Sequence, residues 1–417
     1  MSVTQETQMS VLKATRGDRA EKQATQLSDS DNLVQVAREL APLIREHADE
    51  AERNGRLASR VVDALARAGM FRLWTPRAFG GLEVDPITYM RIAEQLAGAD
   101  TAAAWILQAG NTGAWWCARL PKEGPAELFA DGPSPLMAGA FHPPQRVNEV
   151  PGGYRITGRA PLASNIHDSD WLFLTGIIMD GDRPKVVEGV PQVIGAYVKV
   201  SEVQIIDTWS SLGMRATDSN DVAVDNVFVP ASRAFPMVPE FQPSPGFEGP
   251  LYRFPAMGSA VAVIAPVTLA IARGAISELR ELAANKTSLG FNRTMRERPV
   301  VQATVAKAEG IHRSARAFLY DAVGEAWERA CAGDRSTLEQ KADVLLAGVH
   351  AVSSSATVVE MMHGLAGTAG IYTRNRLERH LRDVETVRHH GLASENRLEV
   401  VGQVYLGVPY EFPFVAF

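Results

Sequence analysis

Two neighbouring imidazoles, His389 and His390, close a helical stretch that runs from Arg374, and a second polar run, Ser164-Asn165-Ile166-His167, lies among turn-forming residues. Imidazole exchanges protons near neutral pH and can hold a reactive oxygen by a hydrogen bond. A hydroxyl and an amide can donate hydrogen bonds without themselves being consumed. Each group also has a plain structural explanation. A helix C-terminus favours histidine electrostatically, and Ser and Asn bond locally in turns. Carboxylates are scarce where a proton-abstracting site would need one: Leu251 to Ile276 contains neither Asp nor Glu, and Glu395 stands in Ser394-Glu395-Asn396, a setting that suits a turn or cap. Cys117 and Cys331 lie in apolar or helical context without metal-ligand spacing, which predicts buried thiols, no disulfide and no metal site. With no GxGxxG and no P-loop, a tightly held nicotinamide is not expected.

The elements that must position these groups fall into three blocks. At 417 residues the chain is long for one core, and 46% hydrophobic with 22% charged residues is an ordinary globular balance. No apolar run approaches the roughly 20 residues that span a bilayer, and a net charge of -6 leaves no basic footprint for nucleic acid. Residues 1–31 are polar, carry both charge signs and read as a flexible tail without a secretory leader, so a cytoplasmic protein is expected. From Asn32 the period is helical, with Gly69 ending a helix over Ala58 to Ala68, another over Pro86 to Leu96, and an apolar one over Thr101 to Leu120. After Gly152-Gly153 the pattern alternates. Trp171 to Met179, Gln192 to Val200, Val203 to Asp207 and Val222 to Val229 are β-rich and predict a small antiparallel β-domain. Helical periodicity returns at Pro255 and continues over Glu309 to Ala332, Thr337 to His363 and Arg374 to His390. The order is α+β: an N-terminal helical domain over 32–135, a β-domain over 136–240 and a helical bundle over 241–417.

Three segments resemble the acyl-CoA dehydrogenase superfamily in its order: ALARAGMFRLWTPRAFGGLEVDP, DTWSSLGMRATDSNDVAVDNVFVP and GLAGTAGIYTRNRLERHLRDVETVRHHGLASENR. The resemblance covers about residues 32 to 407 and is nearest to the branch of two-component aromatic hydroxylases. It implies a homotetramer that binds flavin between the β-domain and the bundle. It also implies what is missing. The dehydrogenases keep a glutamate shortly after the Arg-Asp pair, here Arg382-Asp383, or early in the first bundle helix; the first position is Gly391 and the second lies in the acid-free segment.

His390 matches the position where the oxygenase branch carries a histidine. Ser164 matches the second serine of that branch's flavin-edge loop, with Ala163 in place of the first and Asn165 in place of a glycine. The resemblance therefore implies a flavoprotein monooxygenase. Reduced FAD or FMN arrives from a separate reductase, O2 adds to the flavin as a C4a-hydroperoxide, Ser164 and Asn165 hold it, and His390 steers protonation of a small aromatic, heterocyclic, sulfur or nitrogen substrate. Trp105 is implied near the flavin ring, Arg293 at the cofactor phosphates across a subunit interface, and Gly367, Thr368 and Ala369 where the flavin approaches backbone. Ala160-Pro161 replaces an aromatic residue, and Asn111 to Ala114 lacks a histidine found in some hydroxylases; both imply a substrate other than a simple phenol. Two other readings stay open at this point, a dehydrogenase with a base relocated to Glu395 and a non-catalytic flavin-binding homologue.

Overall fold

The computed structural model describes residues 30–417. The tail expected over 1–31 lies outside the described residues as far as 29, and residues 30 and 31 already belong to the first helix.

Among the described residues, five α-helices build the N-terminal domain: α1 (30–54), α2 (Ser59–Arg67), α3 (Pro86–Ala97), α4 (Thr101–Trp116) and α5 (Glu123–Leu128). Gly69 stops α2 in the left-handed region at φ 78°, a conformation that favours glycine. Asp85 caps α3, accepting the Thr88 N–H at 2.8 Å, with Pro86 at the first helical position. Asp100 caps α4 through the Ala102 and Ala103 N–H groups. Helix α4 is buried all round except at Gln108 and Ala109, which makes it the interior helix that its tryptophans predict.

The middle domain carries β1 (Met137–Val150), β2 (Gly153–Ala163), β3 (Trp171–Asp180), β4 (Arg183–Pro184), β5 (Val186–Val187), β6 (Val190–Pro191), β7 (Val193–Lys199), β8 (Gln204–Ile206), β9 (Asn220–Pro230) and β10 (Ala234–Pro236). The main sheet runs β10-β7-β3-β1-β2-β9-β8, with β4 paired to β3 and a separate β5-β6 ribbon. It corrects the antiparallel expectation, because β1 and β3 pair parallel from Met137↔Trp171 to Val147↔Ile178. The strand that makes it mixed, β1, is among those that alternation does not reveal: Gly139, Pro143, Pro144 and Asn148 dilute its β-character. Trp116 of α4 stacks on Phe173 and Phe235, sealing the N-terminal helices to this sheet.

Bundle helices α6 (Ala256–Asn285), α7 (Pro299–Ala332), α8 (Leu338–Ala366), α9 (Arg376–Arg388) and α10 (Leu398–Tyr405) complete the chain. Helices α6 and α8 approach closely because Gly348 faces Val261, where a Cβ would lie 2.7 Å from the Val261 methyls. Contrary to the expectation from apolar runs, α6 and the segment Leu338–Ile371 are each long and apolar enough to cross a membrane. Both are mostly buried inside the bundle, so their composition is that of core helices. Cys117 is buried as expected, whereas Cys331 is exposed near the end of α7; both are free thiols.

Candidate active site

Three elements meet where the sequence places its chemistry. Trp105, one turn into α4, sets its ring edge-to-face against His390 at 5.6 Å between centroids. Its indole N–H donates to Ser164 Oγ at 3.2 Å. Ser164 lies just past β2, where the chain twists sharply: Leu162 and Asn165 both have positive φ, 63° and 60°. Asn tolerates that region better than other non-glycine residues, so it serves where glycine is the family residue. The Asn165 N–H donates to the Thr217 carbonyl at 2.8 Å and its own carbonyl accepts the Ser169 hydroxyl at 2.7 Å, which fixes the turn. Ala163 is fully buried in the apolar core of the sheet.

Behind Ser164 stands a row of hydroxyls that sequence reasoning missed. Ser164 Oγ is 2.8 Å from Ser219 Oγ, which is 2.7 Å from Thr217 Oγ1, and Thr217 donates to the Met214 carbonyl at 2.8 Å. These groups sit on the loop between β8 and β9, and α9 holds that loop. The Met214 N–H donates to Asp383 Oδ1 at 2.7 Å and the Gly213 N–H to Thr386 Oγ1 at 3.0 Å. Gly213 lies so tightly on α9 that a Cβ there would come 2.2 Å from the Arg382 carbonyl oxygen. Arg379 pairs with Asp100, the α4 cap, while Arg382 pairs with Glu378 and, at 2.6 Å, with Glu52 of α1. Burial pushes Asp383 up to about 6, partly offset by Arg379 and the Met214 N–H. One charged knot thus joins the helix that carries Trp105, the helix that leads into His390 and the loop that carries Ser219. An Asp directly before Thr101-Ala102-Ala103 is a readable cap; its pairing with Arg379 is not.

His390 is partly open, while its neighbour His389 is exposed. Burial lowers the His390 imidazole to about 4. Its Nδ1 accepts the Leu392 N–H at 3.3 Å, so in the neutral ring the proton sits on Nε2. Gly391 is exposed, with nothing within 4 Å of where a Cβ would stand, and its carbonyl accepts Arg397 Nε at 2.6 Å. Glu395 is exposed and accepts the Ser353 hydroxyl at 2.6 Å, which ties the post-α9 loop to α8. His167 lies between Asp218, at 2.9 Å from Nδ1, and Asp207, at 3.4 Å from Nε2. Asp218 also accepts the His167 N–H and the Asn220 amide, so this pair braces the Asn165 turn.

The remaining expected contacts form a second group. Arg293 is exposed on the loop between α6 and α7, where Arg298 lies over Phe291. Lys286, at the start of that loop, donates to the Ala366 carbonyl at 2.6 Å and so tethers it to the turn of Gly367, Thr368 and Ala369. Gly367 has φ 55° and open space around it. No hydrogen bond or ring contact among the described residues links these to Trp105, Ser164 or His390. Asn111, in the stretch without a histidine, is fully buried: its side chain accepts the Trp74 N–H and donates to the Met70 and Leu107 carbonyls. That position is structural.

A flat apolar wall, a polar turn at its edge and a neutral imidazole beside open glycine backbone fit an isoalloxazine ring. An exposed arginine fits a cofactor phosphate, and an open positive-φ glycine fits a close approach of the flavin to backbone. Comparison with known proteins agrees. Residues 29–123 match the family model of the acyl-CoA dehydrogenase N-terminal domain, and residues 262–395 match that of the C-terminal domain. Indole-3-acetate monooxygenase of Pseudomonas putida is 31% identical over 363 residues, 87% of this chain and 90% of that protein. The protein of the same name from Acinetobacter baumannii is 29% identical over 91% of this chain and 94% of its own. Among solved structures, XiaF from Streptomyces in complex with FADH2 and glycerol superposes with a TM-score of 0.86 at 23% identity, over 94% of this chain and 99% of that one. The chain belongs to the acyl-CoA dehydrogenase superfamily, in its branch of flavin-dependent monooxygenase oxygenase components.

Proposed function

We infer that this protein oxygenates a fused heteroaromatic substrate of the indole kind, using O2 and reduced FAD or FMN delivered by a separate reductase. The observation that carries the reading is the meeting of Trp105, Ser164 and His390 beside Gly391, where a dehydrogenase of the family would present a carboxylate. The named relatives that act on indole-3-acetate, and the absence of a histidine from α4, support an indole over a plain phenol. A bound reduced flavin supplies the electrons that activate O2, one oxygen atom going to substrate and the other to water. Trp105 forms the wall against which a planar ring rests. Ser164 and Asn165 meet the polar edge of the cofactor. His390, neutral at physiological pH, offers its Nε2 proton as a hydrogen bond to the oxygen being transferred or to the substrate. It excludes no water by itself; that falls to the buried α4 and the apolar ring packing around it.

Arg293 reaches the cofactor phosphates, and the Gly367-Thr368-Ala369 turn lets the flavin approach the backbone. That no hydrogen bond or ring contact among the described residues links them to the His390 group supports a site completed by a second copy of the chain, in a cytoplasmic homotetramer. The test is to supply chemically reduced flavin, 18O2 and indole-3-acetate and to follow product by mass spectrometry. One 18O atom enters the product. Flavin that reoxidises with no label in any product, whether from indole-3-acetate or from indole itself, overturns the reading.

A further inference from the structure

Helices α1, α3, α6, α7 and α9 line a cavity of about 630 Å³, within the roughly 300–1,000 Å³ of small-molecule sites. Leu269 and Ala270 of α6 give it an apolar side, and two imidazoles line it, His312 from α7 and His380 from α9. His380 fits because Gly274 carries no side chain, since a Cβ there would stand 2.8 Å from the ring. His312 is 5% exposed and its Nδ1 has no hydrogen-bond partner. A buried polar atom left open in this way costs free energy that a bound polar group can recover. The charges of the wall divide into closed and open groups. Arg273 and Arg313 share Glu309, and Arg316 holds Glu94 at 2.9 Å. Arg45, Arg376, Glu278 and Glu281 also line the cavity, yet none of them makes an ion pair among the described residues. Burial raises the Glu278 carboxyl, the Arg376 guanidinium opposes that and Glu281 adds to it, so the three charges sense one another without touching. Two open cations and two open anions around one cavity are the counterparts of a ligand that carries both signs.

We propose that this cavity is a second ligand site, separate from the oxygenation site, and that it takes a free α-amino acid with an apolar side chain. The carboxylate meets Arg376 and Arg45, whose planar guanidinium forks match it, and the ammonium meets Glu278 and Glu281. The apolar side chain lies along Leu269 and Ala270, while His312 supplies a further polar contact. The site belongs to the far end of α9: His380 precedes His390 by ten residues, about 15 Å at the helical rise. No hydrogen bond or ring contact among the described residues joins its lining to Trp105, Ser164 or His390. It is nonetheless mechanically linked to them, because Arg379, next to His380, pairs with the Asp100 cap of the helix that carries Trp105.

Isothermal titration calorimetry of the full chain with L-phenylalanine at pH 7 tests this, with 3-phenylpropionate and 2-phenylethylamine as probes that each lack one charge. L-Phenylalanine binds at one site per chain, and each one-charge probe binds at least about tenfold more weakly. Arg376→Gln and Glu278→Gln each weaken L-phenylalanine about tenfold or more, in variants that keep the wild-type circular dichroism spectrum. Should Arg376→Gln fail to fold because it releases the Ala99 carbonyl, Glu278→Gln and the probe series decide. No binding of L-phenylalanine to the folded wild type overturns the proposal, as does equal binding of 3-phenylpropionate, which marks a plain anion site. Affinity unchanged in the folded variants puts the amino acid elsewhere on the protein and overturns it too. The flavin reading stands or falls separately, on the labelled-oxygen experiment.

Discussion

Desolvation by the apolar surroundings of His390 outweighs anything that would favour its cation, and so lowers the imidazole to about 4. Product formation at saturating flavin and substrate should then show no limb near pH 6.5, and a profile between about pH 5.5 and 8 checks this; an inflection near 6.5 would indicate an ordinary, exposed imidazole. His390→Ala should leave the affinity for reduced flavin within about threefold while the yield of oxygenated product per flavin falls about tenfold or more and hydrogen peroxide takes its place, as measured by parallel product and peroxide assays. Unchanged yield would remove the residue from the mechanism. His390, Ser164 and Asn165 were legible in the sequence only through the resemblance, because a histidine at a helix end and a Ser-Asn turn each have ordinary structural causes. Ser219 was not legible at all. It meets Ser164 across 55 residues of chain, and nothing in Asp218-Ser219-Asn220 says that its hydroxyl faces inward.

Helix α9 and the loop between β8 and β9 act as a unit, and their contact has no slack at Gly213. Gly213→Ala would drive a Cβ into the Arg382 backbone, so it should lower stability by about 2 kcal/mol and weaken reduced-flavin binding, because the loop that carries Thr217 and Ser219 must shift. Thermal melts and flavin titration of the same variant check both effects. Asp383→Ala leaves the Met214 N–H without its partner and Arg379 short of one counter-charge, and should cost about 3 kcal/mol, whereas Asp383→Asn, which keeps an acceptor, should cost less. Most helices were readable from their period: Pro86–Ala97 and Leu338–Ala366 match expectation to within three residues. Helix α7 begins at Pro299, ten residues before the predicted start, since its first turns are largely exposed and show no apolar stripe. The parallel pairing of β1 with β3 depends on sheet topology, which alternation along one strand does not encode.

Two buried histidines, His312 and His380, and the partly open His390 contribute acid sensitivity to the whole molecule. His312 and His390 are lowered to about 4 and His380 to about 3, all chiefly by burial, with Arg273, Arg313 and Arg316 near His312 and Arg376 and Arg379 near His380 adding to the effect. The unfolded chain binds protons at these sites near pH 6.5 and the folded chain does not. Their stabilisation is therefore fully present above about pH 6.5 and is lost as pH falls towards 4. Asp383 works in the opposite sense, its contribution being present below about 4 and lost as pH rises through about 6; Glu83, Asp168 and Glu278, raised by burial, act with it, while Glu309, lowered to about 2 by Arg273, acts with the histidines. Urea midpoints should fall from pH 7 to pH 5, and His380→Gln should flatten that slope; a midpoint that rises on acidification would contradict this balance. The three-domain order was legible because each domain has its own period, while the way the domains lock was not, because the lock is made of long-range charges. That lock has a consequence for biosynthesis. Met214 docks on a residue 169 positions downstream, so a nascent chain can finish its sheet and still have nothing for this loop to rest on. A polypeptide that stalls before Arg376 has emerged holds Ser164 and Trp105 but neither the helix on which the Ser219 loop rests nor His390.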